Sequence, residues 1–213
     1  LYKKRAFSVD EMSNISIKNR QLLSEKYEVG RSLPIHTANS TDGTNKYLFK
    51  TEGGHSIETV YIPDEERATL CVSSQVGCKM DCLFCMTGKQ GFTAQLTATE
   101  ILNQILSIPE AETLTNLVFM GMGEPFDNTL PMLKALEILT ADYGYGWSPR
   151  RITVSSIGLI PGMKVFLEKS NCHLAISLHS PFSHERLELM PIEKAYPISS
   201  VLDELRKHDF SKQ

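Results

Sequence analysis

The 213-residue chain is 41% hydrophobic and sets 22 basic against 25 acidic residues, a net charge of −3. That suffices for about one domain with a sizeable core, and it excludes a global basic footprint for nucleic acid. No apolar run approaches the roughly 18 residues of a membrane helix and no signal peptide is visible, so no membrane partner is expected. Four of the five cysteines fall within positions 71–85, which favours metal or redox work in a reducing, cytoplasmic compartment over a secreted disulfide scaffold.

Residues 1–31 read as helical and basic, with Lys3, Lys4, Arg5, Lys18, Arg20, Lys26 and Arg31 against Asp10, Glu11, Glu25 and Glu28. Ile15, Ile17, Leu22 and Leu23 supply a partial apolar face, and Gly30 is a plausible stop. Residues 46–51 and 55–62 alternate around Glu52-Gly53-Gly54 and predict a β-hairpin. Beyond Pro63 a new pattern sets in. Strands are predicted over 69–73, 115–120, 151–155 and 173–178, and helices over 97–108, 130–139, 163–169 and 199–208. Thr97 or Thr99 is the expected cap of the first of these helices.

Strand followed by helix, four times over, predicts an α/β fold of parallel βα units. Ligands of such sheets sit beyond the carboxyl ends of the strands, and the unusual residues fall there each time. A Cys78-x3-Cys82-x2-Cys85 loop follows the first strand and Gly123-Glu124-Pro125 the second. Ser155-Ser156-Ile157-Gly158 ends the third and Ser177-Leu178-His179 the fourth. A bare edge after the fourth strand predicts further units beyond Gln213. The expected division is a remnant of an N-terminal helical domain over 1–33 and a partial barrel over 34–213.

Three closely spaced thiolates can hold three corners of a cubane iron–sulfur cluster, and the missing fourth leaves one iron open to a ligand. The alternative is structural zinc with His55, His173 or His179 as fourth ligand, although zinc sites usually arrive as paired Cys-x2-Cys units and no second pair exists. Beside an open cluster, the Glu124 carboxylate could accept from a bound ammonium, and Ser155 and Ser177 to His179 could hold a ribose or carboxylate. Glu124 alone reads equally well as a helix-start residue. Cys71 reads as a buried strand residue or one facing the site, and Cys172 as core. Tyr143, Tyr145, Trp147, Arg150 and Arg151 suggest RNA stacking but read better as a packed turn at the end opposite the cysteines.

The runs Cys-Val-Ser-Ser-Gln-Val-Gly-Cys (71–78), Met-Gly-Met-Gly-Glu-Pro (120–125), Ile-Thr-Val-Ser-Ser-Ile-Gly (152–158), Ala-Ile-Ser-Leu-His (175–179) and Leu-Met-Pro-Ile (189–192) together resemble the RlmN/Cfr family. These are radical S-adenosylmethionine (SAM) RNA methyltransferases, and the likeness runs over nearly the whole chain. The intact Gly-Glu-Pro and Ser-Gln-Val-Gly-Cys runs look closer to the RlmN branch, which methylates C2 of adenine in 23S rRNA and tRNA. The alternatives are Cfr-type methylation at C8 and a non-catalytic iron–sulfur or zinc module that binds RNA.

The resemblance implies a [4Fe-4S] cluster on Cys78, Cys82 and Cys85. It implies SAM on Gly123, Glu124, Ser155, Ser177, Leu178 and His179, and an electron donor such as flavodoxin. Glu58 is implied as general base. A first SAM methylates a C-terminal cysteine, and a second, cleaved at the cluster, yields a radical that activates that methyl group for addition to the base. Cys71 then releases product as a disulfide forms. The methyl-accepting cysteine and an Asn of the SAM site would lie beyond Gln213. The chain accordingly reads as a fragment, expected to be inactive alone in methyl transfer.

Overall fold

The computed structural model describes Tyr2 and residues 6–210, so Lys3, Lys4 and Arg5 of the basic segment lie outside the described residues. A 3-10 turn at Val9–Glu11 leads to α1 (Ile17–Ser24), whose N-cap Ser16 accepts from the Asn19 N–H. This helix is shorter than expected. None of its residues is buried, and Ile17 and Leu22 face solvent. Gly30 is not the helix stop. It turns the chain at φ +71° six residues past the helix end at Ser24.

Next come β1 (His36–Asn39), β2 (Asn45–Lys50), β3 (Ser56–Asp64) and β4 (Arg67–Cys71), each antiparallel to the one before. The predicted hairpin is β2–β3, closed by the Gly54 N–H on Thr51 O at 2.9 Å. A small antiparallel ribbon follows, β5 (Gln75–Gly77) with β6 (Phe92–Gln95), and it brackets the cysteine loop and the one-turn α2 (Met86–Lys89). Then α3 (Ala98–Leu106), β7 (Asn116–Phe119), α4 (Thr129–Thr140), β8 (Ile152–Ser156), α5 (Ile160–Lys169) and β9 (His173–Ile176) alternate. The described chain ends with α6 (Ser183–Leu189) and α7 (Ile198–Leu205).

The main sheet has the order β1-β2-β3-β4-β7-β8-β9. Strands β4, β7, β8 and β9 are parallel neighbours in chain order, which is the partial α/β barrel that four βα units predict. One face carries the core. Tyr47, Phe49, Ile57, Leu70, Leu117, Ile152 and Val154 pack there against Ile101 and Ile105 of α3, Met132 and Leu139 of α4, and Phe166 of α5. Each such side chain stabilises the fold by about 1.5–3 kcal/mol. A full capping box starts α3, with Thr97 Oγ1 accepting from the Glu100 N–H at 3.1 Å and Glu100 accepting from the Thr97 N–H at 2.8 Å.

The opposite face carries alternate residues, and the register sorts them into rows. Val60 pairs with Cys71, Cys71 with Val118, Val118 with Thr153, and Thr153 with His173. One row nearer the carboxyl ends of the parallel strands stand Glu58 and the Ser155–Ala175 pair. Strand β1 was not predicted because all four of its residues are exposed and give no alternation.

Candidate functional site

The cysteine loop is shaped by its backbone. Gly77 sits at φ +76°, where a Cβ would lie 1.8 Å from Gly91 O, so no other residue fits. The Cys78 N–H then donates to that same carbonyl at 3.1 Å, and the Leu83 N–H reaches Leu189 O at 3.0 Å. Asp81 adopts φ +48°, uncommon without glycine. Cys78 and Cys82 end up buried and Cys85 half-buried.

All three thiols line one cavity of about 310 Å³ at the carboxyl ends of the parallel strands, together with Gly123, Glu124, Ser155, Ser177 and His179. Burial pushes the Cys82 thiol up to about 11, helped by the charges of Cys78, Cys85 and Glu124, while Arg186 opposes. Burial raises Cys78 as well, assisted by Glu124, Cys85 and Asp127. Three adjacent thiolates are therefore costly here unless a cationic group offsets them. Among the described residues no group of three or more Cys, His, Asp and Glu side chains is placed as around a metal ion.

The donor set fits an iron–sulfur cluster. It offers three soft thiols, while the Glu124 carboxylate in the same cavity is held by the Phe126 and Ile157 N–H groups. Of the candidate fourth ligands for zinc, His55 lies beside the β2–β3 turn and His173 starts β9 at its far end. His179 does line the cavity, but its ring packs on Phe84 with centroids 4.3 Å apart.

Glu124 is buried and works first as a clasp. Its Oε1 accepts the Phe126 N–H at 3.0 Å and its Oε2 the Ile157 N–H at 3.1 Å, which ties the loop after β7 to the loop after β8. Burial raises its carboxyl to about 6, against the pull of hydrogen bonds from Ser156, Ile157 and Phe126. A carboxylate offers about four acceptor positions, so capacity remains for a ligand's ammonium. Gly123 lies at φ +97°, and a Cβ there would come within 2.5 Å of Gln75 Cβ. This close approach lets Gln75 Oε1 accept the Glu124 N–H at 2.7 Å. Gln75 in turn donates to Asp127 at 2.7 Å. Ser155 and Ser177 bring their hydroxyl oxygens to 3.5 Å across β8 and β9. Leu178 does not line the cavity and is exposed.

Cys71 and Glu58 lie just outside the cavity. Burial raises the Cys71 thiol, and a hydrogen bond from the backbone of Met120, a cavity residue, opposes that. Glu58 pairs with Lys46 at 2.9 Å, both half-exposed. Ser73 links the two regions, since its hydroxyl donates to Glu58 O at 2.6 Å and accepts the Met122 N–H at 2.9 Å. All five cysteines are free thiols, so the disulfide expected of Cys71 is not seen in the structure.

The aromatic turn is packed at Trp147, while Tyr143 and Arg150 are exposed. Trp147 is buried under the Arg151 guanidinium, 4.2 Å from its ring centroid, and Arg151 also donates to Leu114 O and Thr115 O. Cys172 is buried core. Two features escaped the sequence reading. Gln104 is a fully buried amide bonded to Thr59 and Ser73. Arg186 and Glu193 form a buried ion pair behind the cavity. Nothing in the residue types distinguishes either from a solvated polar position.

The family model described as the radical SAM superfamily matches residues 72–212. A probable dual-specificity RNA methyltransferase RlmN of Phocaeicola vulgatus is 64% identical over 213 residues, which is all of this chain and 61% of the relative. One from Bacteroides fragilis is 62% identical over the same 213 residues and 62% of its own length. The dual-specificity RNA methyltransferase RlmN of Marinobacter nauticus is 42% identical over 207 residues, 93% of this chain and 56% of that one. Among solved structures, a radical SAM methyltransferase from Sphaerobacter thermophilus superposes with a TM-score of 0.89 at 37% identity, covering 97% of this chain and 62% of that one. The chain thus spans about 61–62% of the length of the first two relatives.

Proposed function

This chain belongs to the radical SAM superfamily, and we propose that it carries the cluster- and SAM-binding core of an RNA methyltransferase that modifies C2 of adenine in rRNA and tRNA. The observation that carries this reading is the convergence of three thiols, the Glu124 clasp and the Ser155–Ser177 pair on one cavity at the strand ends. Cys78, Cys82 and Cys85 would hold a [4Fe-4S] cluster. Glu124, Gly123, Ser155, Ser177, Leu178 and His179 would hold SAM, Leu178 through its backbone since its side chain lies outside the cavity. Together the two groups would supply the one-electron chemistry that activates an otherwise inert methyl group. The electron would come from a small cytoplasmic donor such as flavodoxin.

The chain's own residues have separate tasks. The buried Cys78, Cys82 and Phe119 floor the cavity, and Glu124 fixes two loops against each other. Glu58 stands in the Ser155 row with its carboxylate half-exposed, where it can take a ring proton from a base laid over the sheet. Cys71 lies one row deeper and is burial-suppressed as a nucleophile until a proton acceptor comes near. Its disulfide partner and the methyl carrier belong to the whole protein.

The test is anaerobic reconstitution with iron and sulfide, followed by SAM and dithionite. About four iron atoms per chain and formation of 5′-deoxyadenosine support the reading. Zinc in place of iron, or iron without SAM cleavage, overturns it for this chain. Nucleoside analysis of RNA treated with the full-length protein then separates C2 from C8.

A further inference from the structure

Arg186 is fully buried on α6, a helix that lines none of the cavity. Its guanidinium makes an ion pair with the buried Glu193 carboxylate. The same side chain donates to Ile157 O at 2.7 Å and to Ser177 O at 3.4 Å. Those carbonyls belong to the loops that close β8 and β9. Ile157 is also the residue whose N–H holds Glu124, and Ser177 is paired with Ser155. Glu193 is fixed from its other side by the Ser183 hydroxyl at 2.6 Å and the Ile198 N–H at 3.0 Å. Burial alone would raise the Glu193 carboxyl, but these hydrogen bonds and Arg186 hold it below its usual range. At its far end α6 offers Leu189 O to the Leu83 N–H, between Cys82 and Cys85. Through the buried Arg186 and the Leu189 carbonyl, α6 therefore touches three of the four loops that form the cavity.

We propose that the Arg186–Glu193 pair is a positioning strut that sets the loops after β8 and β9 in register with the cysteine loop, and so determines how tightly SAM is held. It rests on the reading of the cavity as the cluster and SAM site. A buried ion pair is poor evidence of stability, because desolvation offsets most of its attraction. What this pair supplies is direction: a planar fork can address one carboxylate and two carbonyls at once, and an ammonium cannot.

The test compares the parent chain with R186K, E193Q and the double variant R186M/E193M, which fills the space without charge. Hydrogen–deuterium exchange is read first, on apo protein. The amides of Ile157, Gly158 and Leu83 should exchange at least tenfold faster in each folded variant, with α3 and α4 amides unchanged. SAM affinity is then measured on reconstituted samples of equal iron content and should fall at least tenfold. If the single variants do not fold, the double variant decides. Parent-like exchange and SAM affinity in any folded variant overturn the strut. A parent chain that takes up iron yet binds no SAM refutes the functional reading instead, and the exchange data still judge the strut.

Discussion

Gln104 is the side chain whose removal the structure makes most costly for its size. It is fully buried on α3, and all four hydrogen-bonding positions of its amide are filled. The Oε1 accepts from Thr59 Oγ1 at 2.7 Å and from the Ser73 N–H at 2.8 Å. The Nε2 donates to Ser73 O at 3.0 Å and to Glu100 O at 3.3 Å. Gln104→Ala leaves the Ser73 N–H, Ser73 O and Thr59 hydroxyl buried without this partner, while Glu100 O keeps its helical bond. At about 1–3 kcal/mol for each stranded group, partly relieved by rotation of the Thr59 hydroxyl, the loss comes to about 4 kcal/mol. For a chain of this length that lowers the melting temperature by about 10 °C. The assay is thermal unfolding of apo protein followed by far-UV circular dichroism. Gln104→Glu sharpens it. A carboxylate still accepts from Thr59 and Ser73 N–H, but it faces Ser73 O with no proton to give. Its folded pKa must therefore rise above the unfolded value, so its destabilisation is present at neutral pH and fades as the pH falls through that raised pKa. A Q104A melting point within 3 °C of the parent, or a Q104E variant indifferent to pH, refutes the reasoning.

Other outcomes follow from the same geometry. The Glu124 carboxyl, raised to about 6 from a free value of about 4.3, costs the fold about 2 kcal/mol at pH 7.5 when ionised. That cost disappears as the pH falls through 6 toward 4.5, and E124Q should remove this gain in urea unfolding at pH 7.5 and 5. Replacing Cys82 by Ala should abolish retention of iron after desalting, whereas Cys172→Ala, buried on a different face, should keep parent-like iron content. Arg151→Ala should lose about 2 kcal/mol with its ring stack and two carbonyl bonds, seen as a melting point lower by about 5 °C, with SAM binding unchanged. Lys46→Ala should change stability by less than about 1 kcal/mol, because its pairing with Glu58 is half-exposed.

The parallel half of the fold was legible because its strands and helices carry the two hydrophobic periods cleanly. In β8 the pattern is buried at Ile152, Val154 and Ser156 and open at Thr153 and Ser155, and alternation of that kind fixes which face meets the helices. The cysteine spacing and the Gly-Glu-Pro run were legible for a different reason: rare residues at strand ends serve chemistry or backbone geometry more often than packing. The illegible parts are those in which a polar residue does the work of a core residue. Arg186 is the sole buried residue of α6, so a helix of seven residues with no apolar stripe presents no period to read. Gln104 shares its helix with Ile101 and Ile105 and passes for the polar face between them, although it is no more exposed than they are. Both satisfy backbone groups that the strands leave unpaired where they end, Gln104 at Ser73 after β4 and Arg186 at Ile157 and Ser177 after β8 and β9. A site at the carboxyl ends of parallel strands creates such orphaned groups by construction, since the ladder stops there while the chain must still turn inward. Their partners must come from outside the ladder, and long amide and guanidinium side chains have the reach. Buried polar residues that support the loops are thus a consequence of where the site sits, and they are hidden from sequence because only the three-dimensional ladder shows which backbone groups it has left open.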